Sequence, residues 1–132
     1  ASGCVATLSG TGTPSATAAT GFVLSAAIVE GQQDGRFFFG TNGMQANVWG
    51  NGTSFQCVAP PVKRAGLLLG SGNVGACDGS FSQDFNALWT AKPAKNPGAG
   101  ATVQAQLWYR DPTLSVCGTG SNFSQASVIP WQ

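Results

Sequence analysis

Short β-forming segments separated by turn signals dominate this chain of 132 residues. The clearest segment covers residues 102–109, where apolar residues alternate with glutamine and then tryptophan. A period of two places successive side chains on opposite faces of a strand. The alternation sets Val103, Ala105, Leu107 and Tyr109 on one face, and Gln104, Gln106 and Trp108 on the other.

Turn signals divide the rest of the chain at intervals of about 8 to 12 residues. Further strands are predicted at residues 23–29, 36–39, 44–49, 54–58, 62–69, 81–85 and 124–129, the first two as a hairpin. Residues 86–91 fit one helical turn, and nothing predicts a long helix. Residues 1–20 are expected to form an edge strand near 4–9 or a mobile arm. The sequence predicts one domain, residues 1–132, folded as an all-β antiparallel sandwich of about eight to ten strands.

Charge is scarce, and this limits the partners. Six Lys and Arg and five Asp and Glu leave a net charge of +1, with no basic cluster along the sequence. Because phosphates are neutralised by clustered cations, we expect no nucleic-acid partner and no anionic membrane surface. No apolar run approaches the length of a membrane span. The absence of histidine excludes histidine-based triads and most zinc sites.

Four widely spaced cysteines favour two disulfides in an oxidising compartment, with free buried cysteines as the alternative. Cys4, Cys57, Cys77 and Cys117 form no C-x-x-C pair, and spacing leaves three connectivities open. The N-terminal Ala-Ser-Gly, without Met or an apolar leader, is expected for a mature secreted form.

Several motifs resemble a known family. They lie at residues 56–64, 77–81, 84–87, 95–101, 107–112 and 122–126, and include Trp108-Tyr109-Arg110-Asp111-Pro112. They are similar to a secreted β-domain that recurs at the C-termini of large extracellular proteins of planctomycetes and related bacteria. The resemblance implies an extracellular, non-catalytic domain and names no ligand. It also implies that Cys57 pairs with Cys77, which leaves Cys4 with Cys117.

The five acidic residues offer little for catalysis. A glycosidase needs two carboxylates about 5–10 Å apart. Asp34 and Asp78 each precede Gly and are typical of turns, so we expect no enzyme and no catalytic residues. Calcium bound by Asp78, Asp84 or Asp111 with carbonyl oxygens is the alternative to having no cofactor. No D-x-D-x-D loop supports it, so no metal site or cofactor is predicted.

Arg110 and Asp111 follow the strand at residues 102–109 and read as a structural turn. Asp before Pro adopts extended or turn geometry, so Asp111 is expected to cap the strand end by accepting local N–H bonds. Arg110 is expected to pair with a carboxylate or to stack on Trp108.

Aromatic residues are the stronger functional lead. An exposed Trp can stack on a sugar ring or bury itself in a partner subunit, and neighbouring amides can hydrogen bond to hydroxyls. The alternative is that most of these rings fill the core. The candidate ligand or interface residues are Trp49, Trp89, Trp108, Trp131, Gln104 and Gln106.

Two functions follow from these features. The first is a secreted, non-catalytic structural or adhesive surface protein that self-assembles through neutral strand faces or edges, since low charge weakens repulsion between copies. Its partners would be copies of itself or other surface proteins. The second is a carbohydrate-binding module that holds a polysaccharide with exposed Trp and with Asn and Gln.

Overall fold

The computed structural model describes residues 3–49, 54–111 and 120–132. The strands are β1 (Thr7–Gly12), β2 (Phe22–Val29), β3 (Gly35–Gly40), β4 (Met44–Trp49), β5 (Ser54–Val58), β6 (Lys63–Arg64), β7 (Gly79–Asp84), β8 (Thr102–Arg110) and β9 (Ser121–Pro130). Helix α1 covers Phe85–Ala91, and a short 3-10 helix covers Pro93–Lys95. These nine strands confirm the all-β prediction for the described part of the chain.

Two antiparallel sheets face each other and form a β-sandwich. One has the strand order β1-β2-β7, and the other has the order β6-β3-β8-β9. Strands β4 and β5 form a separate two-stranded sheet. The predicted antiparallel sandwich is therefore confirmed, and the β4–β5 hairpin adds a partial third layer.

The core lies between the two larger sheets, as the alternation in residues 102–109 predicts. Val103, Ala105, Leu107 and Tyr109 are all fully buried. Strand β3 contributes Phe37 and Phe39 beside them, because the strand β3 is paired with β8. Strand β2 of the other sheet and helix α1 pack against these side chains. They contribute Phe22, Leu24 and Ala26 from β2, and Phe85, Leu88 and Trp89 from α1.

Three local predictions differ from the structure. The two strands predicted as a hairpin lie in different sheets, since β2 pairs with β1 and β7 whereas β3 pairs with β6 and β8. Only Lys63–Arg64 of the predicted strand 62–69 pairs along β3, with one further bridge at Leu68. The segment lies at the edge of the sheet and is interrupted by Gly66 and followed by Gly70, so its pairing with β3 stays short. Residues 85–91 form a helix of seven residues rather than a single turn. Of the two alternatives for residues 1–20, an edge strand is observed at Thr7–Gly12, paired with β2.

The disulfide connectivity implied by the resemblance is wrong. Cys4 is bonded to Cys77, with Cα atoms 5.4 Å apart, and this bridge excludes both Cys57–Cys77 and Cys4–Cys117. The bridge links the segment before β1 to the segment before β7, and these strands flank β2 in one sheet. Cys57 forms no disulfide with any described residue, and Cys117 lies outside the described residues.

Among the described residues, no helix has the length and apolar character needed to cross a membrane.

Candidate functional site: an aromatic groove with three arginines

The β4–β5 hairpin is held on the outer face of β8 by the amide of Gln106. Its Oε1 accepts a hydrogen bond from the Cys57 N–H at 2.9 Å, and its Nε2 donates to the Phe55 carbonyl at 2.8 Å. The same nitrogen donates to the Ser124 carbonyl at 2.7 Å. A primary amide carries a donor and an acceptor, as a peptide group does. Gln106 therefore makes the hydrogen bonds that a neighbouring strand would otherwise make to this edge of β5.

Gln104 and Gln106 are predicted as ligand or interface residues, but the structure places both side chains inside the protein. Gln104 is 5% exposed and Gln106 is fully buried. The Gln104 Oε1 accepts a hydrogen bond from the Gly43 N–H at 3.1 Å, at the start of the hairpin. Their amides are used inside the protein because the hairpin covers this part of the face of β8.

The four tryptophans separate into two pairs. Trp89 and Trp131 are 1% and 2% exposed, and their ring centroids are 3.7 Å apart in the core. These two rings lie in the core, in agreement with the alternative that the aromatic rings fill it. Trp49 and Trp108 are half-buried and line the same surface groove. Only this second pair remains available to a ligand.

We call this surface the arginine–aromatic groove. It has a volume of about 460 Å³, within the range typical of small-molecule sites. The outer face of β3, β6, β8 and β9 forms one side, and the β4–β5 hairpin contributes Trp49 and Gln56. Its aromatic residues are Phe38, Trp49, Trp108 and Phe123, and its cations are Arg36, Arg64 and Arg110.

Edge-to-face contacts fix one aromatic wall of the groove. The ring centroids of Phe38 and Phe123 are 5.5 Å apart, and those of Phe123 and Trp49 are 5.1 Å apart. Such T-shaped pairs hold rings in defined orientations. Trp108 lies opposite Phe123 in the register of β8 and β9. Its ring makes no ring–ring contact with another described aromatic residue, and the half-buried side chain lines the groove.

Strand pairing places the three arginines on one face. Arg36 lies directly opposite Trp108, and Arg64 lies directly opposite Phe38. Arg110 follows Trp108 by two residues and therefore shares its face. In the part of the chain that the structure describes, none of these guanidinium groups makes a hydrogen bond or an ion pair, and no acidic residue lines the groove.

Sequence reasoning missed Arg36 and Arg64 as site residues and assigned Arg110 to a turn. The available signal was a cation on the outward face of the strand at residues 36–39. The pairing of that strand with β8 is a tertiary feature, so a sequence pattern does not show which aromatic residue lies beside it.

A second group of cations adjoins the groove. Lys63 donates a hydrogen bond to the Ala94 carbonyl at 2.9 Å, and Lys95 donates to the Arg64 carbonyl. Burial lowers the pKa of the Lys95 amine, and the positive charges of Lys92, Arg36 and Lys63 lower this pKa further. The potential along this edge is therefore positive, although the sequence contains no basic run.

Three of the five acidic residues are used structurally, and none of the five lines the groove. Hydrogen bonds from the Asn73 backbone N–H and side-chain amide, both 2.7 Å, lower the pKa of Asp78. Glu30 is 1% exposed and accepts a hydrogen bond from the Gly75 N–H at 2.9 Å. Asp84 caps α1 through the Ala87 N–H. These contacts hold loops and a helix end.

Backbone hydrogen bonds hold the C-terminal end of β8. The Arg110 N–H donates to the Asp34 carbonyl and the Asp111 N–H donates to the Gly120 carbonyl, both at 2.9 Å. The Asp111 carboxylate is fully buried, and neither of its oxygens accepts a hydrogen bond from a described residue. The predicted side-chain cap is therefore not observed among the described residues, where the main chain makes the bonds at this strand end. The predicted carboxylate partner of Arg110 is also not observed among the described residues.

Among the described residues, no three His, Cys, Asp or Glu side chains come together where they could hold a metal ion. Asp78 and Asp84, suggested for calcium, have separate hydrogen-bond partners at opposite ends of β7.

Comparison with protein-family models, with curated proteins and with solved structures finds no match to this chain. The resemblance to the planctomycete β-domain therefore stays a prediction.

Proposed function

We propose that this chain is a secreted, non-catalytic carbohydrate-binding domain and that its site is the arginine–aromatic groove. The observation that carries the proposal is the half-buried Trp108 in a groove that three further aromatic residues, Phe38, Trp49 and Phe123, also line. Flat apolar ring faces complement the CH-rich faces of sugars, and polar groups at the rim fix orientation.

The absence of acidic residues from the groove supports a binding role over hydrolysis. Glycoside hydrolysis uses a pair of carboxylates beside the bond that breaks. The Glu30, Asp78 and Asp84 side chains accept backbone N–H bonds elsewhere in the fold. The Cys4–Cys77 bridge supports an extracellular location, because disulfides persist in oxidising compartments.

Affinity electrophoresis through gels containing neutral and acidic polysaccharides tests this proposal. We expect at least one polysaccharide to retard the protein, Trp108→Ala to abolish the retardation, and Trp108→Phe to retain part of it. Phe55→Ala is the matched control, since Phe55 is 42% exposed but does not line the groove. The proposal fails if no polysaccharide retards the protein, or if both alanine variants behave alike.

Self-assembly is the second candidate function, favoured by an exposed apolar pair on the β4–β5 hairpin. Val48 and Phe55 lie opposite each other in register and are 59% and 42% exposed. With few charges to repel a second copy, this pair would pack against another chain. Sedimentation over a range of protein concentrations should show oligomers that Val48→Lys dissolves. A monomer at every concentration would reject this function.

A further inference from the structure

We infer that the groove takes an acidic saccharide, one whose rings carry carboxylate or sulfate groups. This inference rests on the proposed function and names the ligand class of the same site. The three arginines of the groove point to this ligand class.

Two of the three arginines neighbour Trp108 on the same face of the sheet, and the third, Arg64, lies opposite Phe38. Residues directly opposite on antiparallel strands have Cβ atoms about 5 Å apart, and this is the relation of Arg36 to Trp108. Arg110 lies two residues further along the same strand, about 7 Å away. A sugar ring stacked on Trp108 therefore carries its substituents within reach of two guanidinium groups.

The charge of the groove is uncompensated. Three cations share the site, no acidic residue lines it, and none of the three guanidinium groups has a partner among the described residues. Like charges gathered at one site repel one another, and a bound anion relieves this repulsion. Lys63 and Lys95 extend the positive region beyond Arg64, since both line a neighbouring surface pocket.

The guanidinium group suits this ligand class chemically. Its planar fork donates two parallel hydrogen bonds to a carboxylate or to a sulfate oxygen pair, and these charge-assisted bonds are about twice as strong as neutral ones. A neutral sugar would leave these donors facing hydroxyl groups only.

A short acidic saccharide fits the groove better than a nucleic acid. Proteins that bind single strands use a continuous basic track with successive stacking platforms over several nucleotides. Here three arginines surround one groove of about 460 Å³, and the whole chain has a net charge of only +1. The charge is local, as a ligand with a few acidic groups requires.

Matched pairs of polysaccharides test the inference. Polygalacturonate is compared with its fully methyl-esterified form, and dextran sulfate with dextran, so that each pair differs mainly in charge. We expect retardation by a charged member, little by its neutral counterpart, and loss of binding as NaCl is raised. The first pair tests carboxylate and the second tests sulfate.

Substitutions of the arginines test whether the acidic saccharide binds in the groove. Arg36→Gln and Arg110→Gln are each expected to weaken binding by about tenfold or more, the size of one charge-assisted hydrogen bond. Arg36→Lys should weaken binding less, because it keeps the charge and loses the fork. Lys92→Gln is the control, since it removes the same charge from an exposed residue outside the groove. Thermal unfolding of each variant verifies that it is folded.

The outcomes separate this inference from the proposed function. Equal binding to charged and neutral members, unaffected by Arg36→Gln, overturns the inference and leaves carbohydrate binding intact. A thymidine oligonucleotide that displaces the acidic saccharide at lower concentration also overturns it, in favour of a nucleic-acid site. No binding to any of the four polysaccharides refutes the proposed function itself.

Discussion

Asp84 ends β7 and begins α1, and its carboxylate serves both neighbours. One oxygen accepts from the Ala87 N–H at 3.0 Å, inside the first turn of the helix. The other accepts from the Gly21 N–H at 2.9 Å, at the entry to β2. Burial raises the pKa of Asp84, but hydrogen bonds from the N–H groups of Gly21 and Ala87 outweigh it and the pKa is lowered overall.

The first prediction concerns this residue and pH. Because the folded-state pKa lies below the unfolded one, the carboxylate stabilises the fold above about pH 4 and loses this effect as pH falls through the folded-state value. Asp84→Ala should lower the free energy of unfolding by about 1–2 kcal/mol at pH 7. Urea unfolding at several pH values measures both effects. Asp84→Asn keeps a capping oxygen, so it should be less destabilising and should lack this pH dependence; an unchanged pH profile contradicts the assignment.

The second prediction concerns Ile28, which interrupts the pairing of β2 with β7. Its φ is +59°, a left-handed conformation that is strained for a β-branched residue, and its side chain is 47% exposed. Ile28→Asn should raise the free energy of unfolding by about 1 kcal/mol, because Asn tolerates this conformation. Thermal and urea unfolding measure the gain. Ile28→Ala is the control, and equal stability of the two variants would show that relief of strain is not the cause.

At the scale of elements, the β4–β5 hairpin depends on side-chain amides. Strand β5 pairs with β4 on one edge, and the Gln106 amide bonds to Phe55 and Cys57 on the other. The residues of β8 thus divide by position: the middle of its outer face holds the hairpin, and its end, at Trp108 and Arg110, lines the groove.

The third prediction tests this attachment. Gln106→Leu keeps the size of the side chain but leaves the Cys57 N–H and the Phe55 carbonyl without their partner. We expect a loss of about 2–4 kcal/mol in the free energy of unfolding and faster hydrogen exchange at the Cys57 amide. The control is Gln125→Leu, an exposed position on the neighbouring strand. Equal exchange at Cys57 in both variants would contradict the role given to Gln106.

At the scale of the whole molecule, the Cys4–Cys77 bridge closes a long loop. The two residues are 73 apart in sequence, and the loop includes β1 to β6. A cross-link of this length limits the unfolded chain strongly.

The fourth prediction is the connectivity itself. Trypsin cleaves after Arg36, Lys63, Arg64, Lys95 and Arg110, so each cysteine falls in a different peptide. Without reduction, peptide 1–36 should be joined to peptide 65–95. A link between 37–63 and 65–95, as the resemblance implies, would contradict the structure.

The fifth prediction is the stability that the bridge confers. Replacing both Cys4 and Cys77 by Ala should lower the free energy of unfolding by about 4 kcal/mol, from the loop length. The protein with its bridge reduced should behave as the double variant does in urea unfolding. Unchanged stability after removal of the bridge would contradict this.

The local sequence pattern determined the fold class and the faces of β8. Alternation in residues 102–109 placed Val103 and Leu107 inside and Trp108 outside, because side-chain direction in a strand follows from the period of two alone. The short strand segments and the turn signals between them were enough to predict an all-β sandwich.

The tertiary structure alone decided the disulfide, the covering of Gln106 and the groove. Each depends on which segments become neighbours across long stretches of chain. Arg36, Arg64 and Trp108 come from three separate strands, and only the order β6-β3-β8-β9 brings them together. Strand pairing is chosen by the packing of the whole core, whereas alternation is a property of each strand by itself.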